Sequence, residues 1–125
     1  MIKKKLCSSC KKRKQITSFY KCRGACKVCR INYVRNYYKK IKELIFTHYG
    51  TQCACCHESA LEFLCIDHIN GKGNEHRRAI GAGTNFYSWL IKNNLPSGFR
   101  TLCHNCNMSL GSFGYCPHGN ISRSK

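Results

Sequence analysis

Four Cys-x-x-Cys pairs constrain this chain more than any other feature of its sequence. They begin at Cys7, Cys26, Cys53 and Cys103, and the chain has 12 cysteines in 125 residues. A two-residue spacer suits tetrahedral zinc better than a disulfide. The basic segment 1–5 is not followed by the apolar run of a secretory signal, and thiols stay reduced where no export occurs. We therefore interpret the cysteines as zinc ligands and expect an intracellular protein.

The spacing of the pairs predicts two structural zinc sites. Fifteen residues separate Cys10 from Cys26, a usual distance for a zinc site built from two such pairs. The first predicted site is Cys7, Cys10, Cys26 and Cys29; the second is Cys53, Cys56, Cys103 and Cys106. Four thiolates leave no open coordination position, so neither ion is expected to be catalytic. A chain this short buries little surface, and bound metal commonly compensates for that.

The remaining cysteines are Cys22, Cys55, Cys65 and Cys116. Cys22 is an alternative ligand to Cys26. Cys55 is an alternative to Cys56, although a one-residue spacer makes a poorer chelate. Cys116 and His118 could form part of a metal site. With two further odd thiols in the chain, buried or free cysteine is the favoured interpretation.

The charge of the chain indicates a polyanionic partner. Its net charge is +17, from 22 Lys and Arg against 5 Asp and Glu, and fifteen of the basic residues precede position 50. So strong a bias favours DNA, with RNA as a weaker candidate, over a merely solvated basic surface. No segment reaches the ~18 apolar residues of a membrane span, so no membrane partner is expected.

Composition and spacing divide the chain into four predicted segments. Residues 1–30 form a zinc-ribbon module, 31–50 a basic amphipathic helix or linker, 51–119 the second module, and 120–125 a polar tail that we expect to be frayed. The helix is predicted from an apolar stripe at i+3 and i+4 steps: Ile31, Val34, Tyr38, Ile41 and Ile45. Its basic face either follows a phosphate backbone or is only solvated.

The second module is predicted to alternate short strands and helices. Strands are expected at 61–66, ending at Asp67, and at 99–102, entering Cys103; a loop is expected around residues 71–74. Phe86, Trp89 and Leu90 predict a helix after Thr84, a candidate N-cap, that ends before Pro96. A further short helix is expected from near Cys106 to Gly111.

Asp67 and His68 lie where the first of these strands should end, and Asn107 directly follows the last zinc ligand. A hard divalent ion such as Mg²⁺ prefers oxygen ligands, which Asp67 and Asn107 supply. Histidine readily accepts a proton near neutral pH and can take one from an attacking water. This combination predicts metal-dependent hydrolysis of a phosphodiester.

The segments 64–71 (Leu-Cys-Ile-Asp-His-Ile-Asn-Gly) and 102–107 (Leu-Cys-His-Asn-Cys-Asn) resemble the HNH nuclease family, over roughly residues 50–118. The chain is similar to zinc-knotted members of this family, such as phage recombination endonuclease VII. The resemblance implies a ββα-metal fold, His68 as general base, and Asp67 and Asn107 as ligands of the catalytic ion. The family's middle Asn is not evident, since Gly98 and Phe99 stand near its place.

The expected protein is therefore a small, zinc-stabilised α+β chain in which a zinc ribbon and a basic helix precede an HNH (ββα-metal) nuclease module. It would carry two structural Zn²⁺ and one catalytic Mg²⁺, or Mn²⁺, and cut double-stranded or branched DNA, with a homodimer as one arrangement and a phage or mobile element as its source. The predicted nucleic-acid contacts are Lys11, Lys12, Arg13, Lys14, Arg35, Lys39, Lys42, His76, Arg77 and Arg78. The alternative is a non-catalytic zinc-finger protein that binds DNA or RNA.

Overall fold

The computed structural model describes residues 1–123, and Ser124 and Lys125, the last two residues of the predicted tail, lie outside that range. Within the described range the chain is a small α+β protein with two two-stranded antiparallel sheets and four α-helices. It forms two compact units, residues 1–40 and the chain from Ile41 onward. No helix of residues 1–123 is both long and apolar enough to cross a membrane.

The first unit is built on a small hairpin. Strand β1 (Lys4–Leu6) pairs with β2 (Arg13–Gln15), and Leu6 lies opposite Arg13. A short 3₁₀ turn at Ile16–Ser18 follows. The only large side chain in the buried centre of this unit is that of Phe19, which packs beside Cys7 and Cys26. An apolar core this small supplies little folding free energy, which is why the cysteines matter here.

Helix α1 (Lys27–Tyr49) runs through the boundary between the units. Ile41, Ile45 and Phe46 are buried in the second unit, whereas Ile31, from the same predicted apolar stripe, is 42% exposed. The helix ends where the Gly50 amide donates to the Phe46 carbonyl at 2.9 Å, with Gly50 at φ +127°, a conformation open to glycine. The predicted basic helix is thus present, but the boundary between the two units falls inside it.

The second unit contains the two predicted strands and a helix directly after them. Strand β3 (Leu64–His68) pairs antiparallel with β4 (Phe99–Cys103), so that Asp67 lies opposite Arg100. The predicted first strand is displaced, because residues 61–63 form a 3₁₀ turn and the strand continues to His68. Helix α4 (His104–Phe113) begins at the residue after β4.

Two helices lie between β3 and β4 in the sequence. Helix α2 (Gly73–Ile80) begins inside the segment predicted as a loop, so that prediction holds for residues 71 and 72 and was wrong for 73 and 74. Lys72, in the left-handed conformation at φ 64°, turns the chain into this helix. Helix α3 (Thr84–Lys92) lies where it was predicted, but Gly83 stands at its N-cap and no side chain caps it.

The apolar core of the second unit joins β3, β4 and three of the helices. Its largest buried side chains are Ile41, Ile45, Phe46, Leu64, Ile66, Phe86, Leu90, Leu102 and Leu110. Each fully buried aliphatic or aromatic side chain contributes about 1.5–3 kcal/mol relative to exposure. The end of α1 is tied to this core, since the Tyr49 hydroxyl donates to the Pro96 carbonyl at 2.6 Å and the Thr101 hydroxyl to the Gly50 carbonyl at 2.7 Å.

The end of the described chain packs against the second unit. Tyr115 forms an isolated β-bridge with Ser122, and the Asn120 side chain donates to the Cys55 carbonyl at 2.7 Å. Arg123 reaches Asp67. The prediction of a frayed tail was therefore wrong for residues 120–123. These polar side chains find specific partners far away in the sequence, which composition alone does not reveal.

Candidate functional site

The first predicted cysteine group is assembled in the first unit. The sulfur atoms of Cys7, Cys10, Cys26 and Cys29 all lie within 4.8 Å of one another, as metal ligands do, and the group could hold zinc. Lys14 donates from Nζ to the Cys26 sulfur at 3.3 Å, and this hydrogen bond raises the pKa of Lys14. Cys22, the alternative ligand, is exposed and lies outside the group.

The second predicted group joins the segment 53–56 to the junction of β4 and α4. The sulfur atoms of Cys53, Cys56, Cys103 and Cys106 also lie within 4.8 Å of one another, and this group could likewise hold zinc. Cys103 stands at the N-cap of α4, and its sulfur accepts from the Cys106 amide at 3.4 Å. A metal ion here would fix the position of Asn107, the residue that follows Cys106.

A third potential metal-binding group consists of Cys55, Cys106, Cys116 and His118. Cys116 is buried and free, as expected, and the chain after α4 also brings it back to Cys55, into a group that could hold a metal. Cys65 lies outside all three groups. Its thiol donates to the Leu102 carbonyl at 3.4 Å, and burial raises its pKa to about 11.

Asp67, His68 and Asn107 line one cleft of about 750 Å³ in the second unit. The two strand residues come from the end of β3 and the amide from the first turns of α4. Lys72, Arg77 and Arg123 add positive charge to its walls. The structure thus brings together the three side chains that the sequence predicted to form one site.

Asp67 is only 2% exposed and both of its oxygens are paired with arginine. Arg100 donates from Nε to Oδ2 at 3.0 Å, and Arg123 donates from Nη2 to Oδ1 at 2.6 Å. A buried carboxylate needs such partners because desolvation of its charge is costly. Arg100 Nη2 and Arg123 Nε are buried and have no hydrogen-bond partner among residues 1–123.

His68 is held by a second histidine and by aromatic rings. Its Nε2 lies 2.8 Å from Nδ1 of His76, and its ring stacks on Phe86 at 5.3 Å with an interplanar angle of 22°. Phe99 contacts the ring edge-on at 4.8 Å. Burial, and then the neighbouring His76, lower the pKa of His68 below its ordinary value, which favours the neutral imidazole at neutral pH.

The first turn of α2 brings backbone close to His68. A Cβ atom at Gly73 would lie 3.1 Å from Nδ1 of His68, so glycine permits a close approach there. The sequence left three roles open for His76, one turn later: contact with a phosphate, contact with the metal, or a solvated loop residue. The structure places it in a helix, against His68, with 4.3 Å between its ring centroid and that of Trp89. It thus holds His68, for which the sequence offered no middle Asn. The sequence signal was weak, because the segment was interpreted as a loop.

The predicted phosphate-binding residues differ in their surroundings. Arg77 lines the cleft and donates to the Gly73 carbonyl at 3.2 Å and to the Asn74 side chain at 2.9 Å. Lys14 is occupied by the Cys26 sulfur. Lys42 is half-buried, and the remaining basic side chains are exposed: Lys11, Lys12, Arg13, Arg35, Lys39 and Arg78. These exposed residues are free to contact a polyanion.

Comparisons of the chain with protein-family models, with curated proteins and with solved structures find no match in any of the three. The function must therefore be argued from the geometry and chemistry of the site itself.

Proposed function

We propose that this chain is a metal-dependent endonuclease of the HNH type, which hydrolyses phosphodiester bonds in DNA. The observation that carries the proposal is the shared cleft of Asp67, His68 and Asn107. A carboxylate, an imidazole and a carboxamide in one cleft provide both the oxygen ligands of a hard cation and a proton acceptor. The order of β3, β4 and α4 around them agrees with the ββα arrangement that the HNH resemblance implies.

His68 is proposed as the general base. When Nε2–H of His68 donates to Nδ1 of His76, the lone pair on Nδ1 of His68 is left to accept a proton from water. Packing against Phe86 and Phe99 fixes the ring, so little orientation is lost on reaching the transition state. The lowered pKa of His68 keeps this lone pair available at neutral pH.

Asp67 and Asn107 fit a hard divalent ion by their donor chemistry. Bound there, the ion would stabilise negative charge on the phosphate and on the leaving oxygen. Arg123 now supplies the positive charge beside Oδ1 of Asp67, at 2.6 Å, so it must give up this contact when a cation binds that oxygen. Its buried Nε without a partner among the described residues makes the present position of Arg123 incompletely stabilised.

Positive charge supports DNA as the substrate. Arg77 and Lys72 line the cleft, where they can contact phosphate oxygens next to the cut bond. The net charge of +17 and the exposed Lys11, Lys12 and Arg13 supply affinity through phosphates, with little sequence information. We expect salt to weaken this binding steeply.

The direct test is cleavage of supercoiled plasmid by the full chain. We expect nicked circles in the presence of Mg²⁺ or Mn²⁺ and no product in EDTA, because the hydrolysis requires a cation at Asp67 and Asn107. The protein is loaded with zinc beforehand, and EDTA is added only during the assay. The content of structural zinc is then measured, to show that EDTA has not removed it. Absence of cleavage on plasmid, linear duplex and four-way junction, at every divalent ion tested, would contradict the proposal.

Replacement of Arg123 should change the metal requirement of that reaction. In Arg123→Gln the competing positive charge at Oδ1 of Asp67 is gone, while Arg100 still pairs with Oδ2. We expect the Mg²⁺ concentration for half-maximal cleavage to fall several-fold, measured by titration at constant ionic strength. Arg78→Gln is the matched control, since Arg78 is exposed on α2 and does not line the cleft. An unchanged or raised requirement in Arg123→Gln would contradict the competition.

The second candidate function is non-catalytic binding of DNA or RNA. The double pairing of Asp67 with Arg100 and Arg123 favours it, since both carboxylate oxygens are already satisfied. In that case Asp67 would serve only to hold the end of the chain, and Arg123→Gln would lower stability without any metal-dependent activity. Salt-sensitive binding without nicking in Mg²⁺ or Mn²⁺ would identify this function.

A further inference from the structure

The second and third cysteine groups share one residue. Cys106 belongs to the set Cys53, Cys56, Cys103 and Cys106 and also to the set Cys55, Cys106, Cys116 and His118. We propose that the second unit binds two zinc ions, held by these seven side chains, with the Cys106 thiolate bridging them. This site is independent of the proposed nuclease activity, because none of its ligands is assigned a role in the reaction.

The distances in the third group agree with the edges of a zinc tetrahedron. From Nδ1 of His118 the sulfur atoms of Cys116, Cys106 and Cys55 lie at 3.3, 3.4 and 3.9 Å. Zn–S and Zn–N bonds of about 2.3 and 2.0 Å at tetrahedral angles give an N···S edge of about 3.5 Å and an S···S edge of about 3.8 Å. In the second group Cys56 and Cys103 are 3.7 Å apart, close to the latter value.

A hydrogen-bonded cluster of thiols explains this geometry less well. A single N–H of His118 can point at one sulfur, yet three sulfurs surround Nδ1 at similar distances. Cys55, Cys106 and Cys116 are buried, at 0, 1 and 2% exposure, and would gather there as neutral thiols with no strong interaction to orient them. A cation at the centre accounts for the convergence of all four.

The charge of the ligands also favours a second ion. Cys55 and Cys116 add two thiolates to the four of the second group, and one further Zn²⁺ cancels that added negative charge. Cys106 can bridge because a thiolate sulfur carries several lone pairs. Its place in the first turn of α4 puts it near helix N–H groups, which favour negative charge.

Hydrogen bonds also hold the segments that carry the third group. Cys55 belongs to the third group, whereas Cys53 and Cys56, on either side of it, belong to the second. The Cys55 amide donates to the Cys53 sulfur at 3.4 Å. Asn120 donates to the Cys55 carbonyl at 2.7 Å, and the Gly119 amide donates to the Cys116 carbonyl at 2.9 Å. These contacts fix the turn that carries Cys116 and His118.

Metal content is the first test. The full chain, purified without chelator, should contain about three zinc ions, counting one for the first unit, by mass spectrometry of the metal against amino-acid analysis. The double variant Cys116→Ser/His118→Ala should contain about two, while the matched thiol control Cys22→Ser should keep about three. About two ions in the unaltered chain, unchanged in the double variant, would overturn the proposal.

Cadmium-113 NMR of the unaltered chain tests the bridge without any variant that could fail to fold. Two resonances should show scalar coupling to each other through the shared Cys106 sulfur, and the resonance of the first unit should show none. Coupling that vanishes with one of the paired resonances in His118→Ala, an exposed ligand, supports the assignment. Three uncoupled resonances would refute the bridging thiolate, and two resonances would refute the second ion in this unit.

Discussion

His68→Ala is expected to slow plasmid cleavage by roughly 100- to 10,000-fold, the usual contribution of a general base. DNA affinity should stay within experimental error of the unaltered chain, because the basic residues proposed to contact phosphates are left in place. The expected result follows from the position of His68 in the cleft beside Asp67, with Nε2 held by His76 at 2.8 Å. Single-turnover cleavage and fluorescence anisotropy at equal ionic strength measure the two quantities separately.

Two further variants separate loss of the base from loss of packing. His68→Gln keeps a polar side chain beside His76 but cannot accept a proton near neutral pH, so it should be as inactive as His68→Ala. His48→Ala, at an exposed position on α1, should cut at the normal rate. A His68 variant that cuts normally, or one that loses DNA binding as strongly as cutting, would contradict the role given to the imidazole.

Short-range patterns were sufficient for much of the second unit. The apolar run before Asp67 and the segment entering Cys103 correspond to β3 and β4, and the helical spacing of Phe86 and Leu90 corresponds to α3. Both predicted four-cysteine groups are assembled, because two-residue spacing brings each pair of sulfurs to one point with little choice of conformation. Asn107 directly follows a cysteine of the second group, which fixes its position in the cleft that it shares with Asp67.

Contacts between distant segments could not be predicted in the same way. The contact of His76 with His68 requires α2, whose first residues carry the glycine and asparagine that usually mark a loop. Arg123 and Asp67 are 56 positions apart, and nothing local to either residue predicts their ion pair. The complete third cysteine group could not be predicted for the same reason, since Cys55 and His118 are separated by 63 positions.

Helix α1 shows a different limit. Its apolar stripe continues from Ile31 to Ile45 with regular spacing, yet Ile31 is 42% exposed and Ile45 fully buried. Periodicity reports which side chains share a face, but not what covers that face. The boundary between Lys40 and Ile41 is therefore invisible in the sequence, although the helix itself was predicted.

Cys103→Ser is expected to abolish cooperative unfolding of the second unit at 25 °C. Structural zinc in small domains binds with about 10–16 kcal/mol near pH 7, whereas a typical domain is stable by only about 5–15 kcal/mol. Loss of one of four ligands should therefore remove most of the stability of this unit. The chain has a single tryptophan, Trp89, which lies in the second unit, so its fluorescence during urea titration reports on that unit alone.

Serine at position 103 isolates the metal contribution from the helix cap. Cys103 stands at the N-cap of α4, a position that serine favours, so the start of the helix keeps its capping group when the thiolate is lost. Cys65→Ser is the matched control: Cys65 lies next to Leu64, the partner of Cys103 in the β3–β4 register, but belongs to no metal group of residues 1–123. It should lower the urea midpoint only slightly. Equal, small effects of the two substitutions would mean that the second group holds no metal and that apolar packing alone maintains this unit.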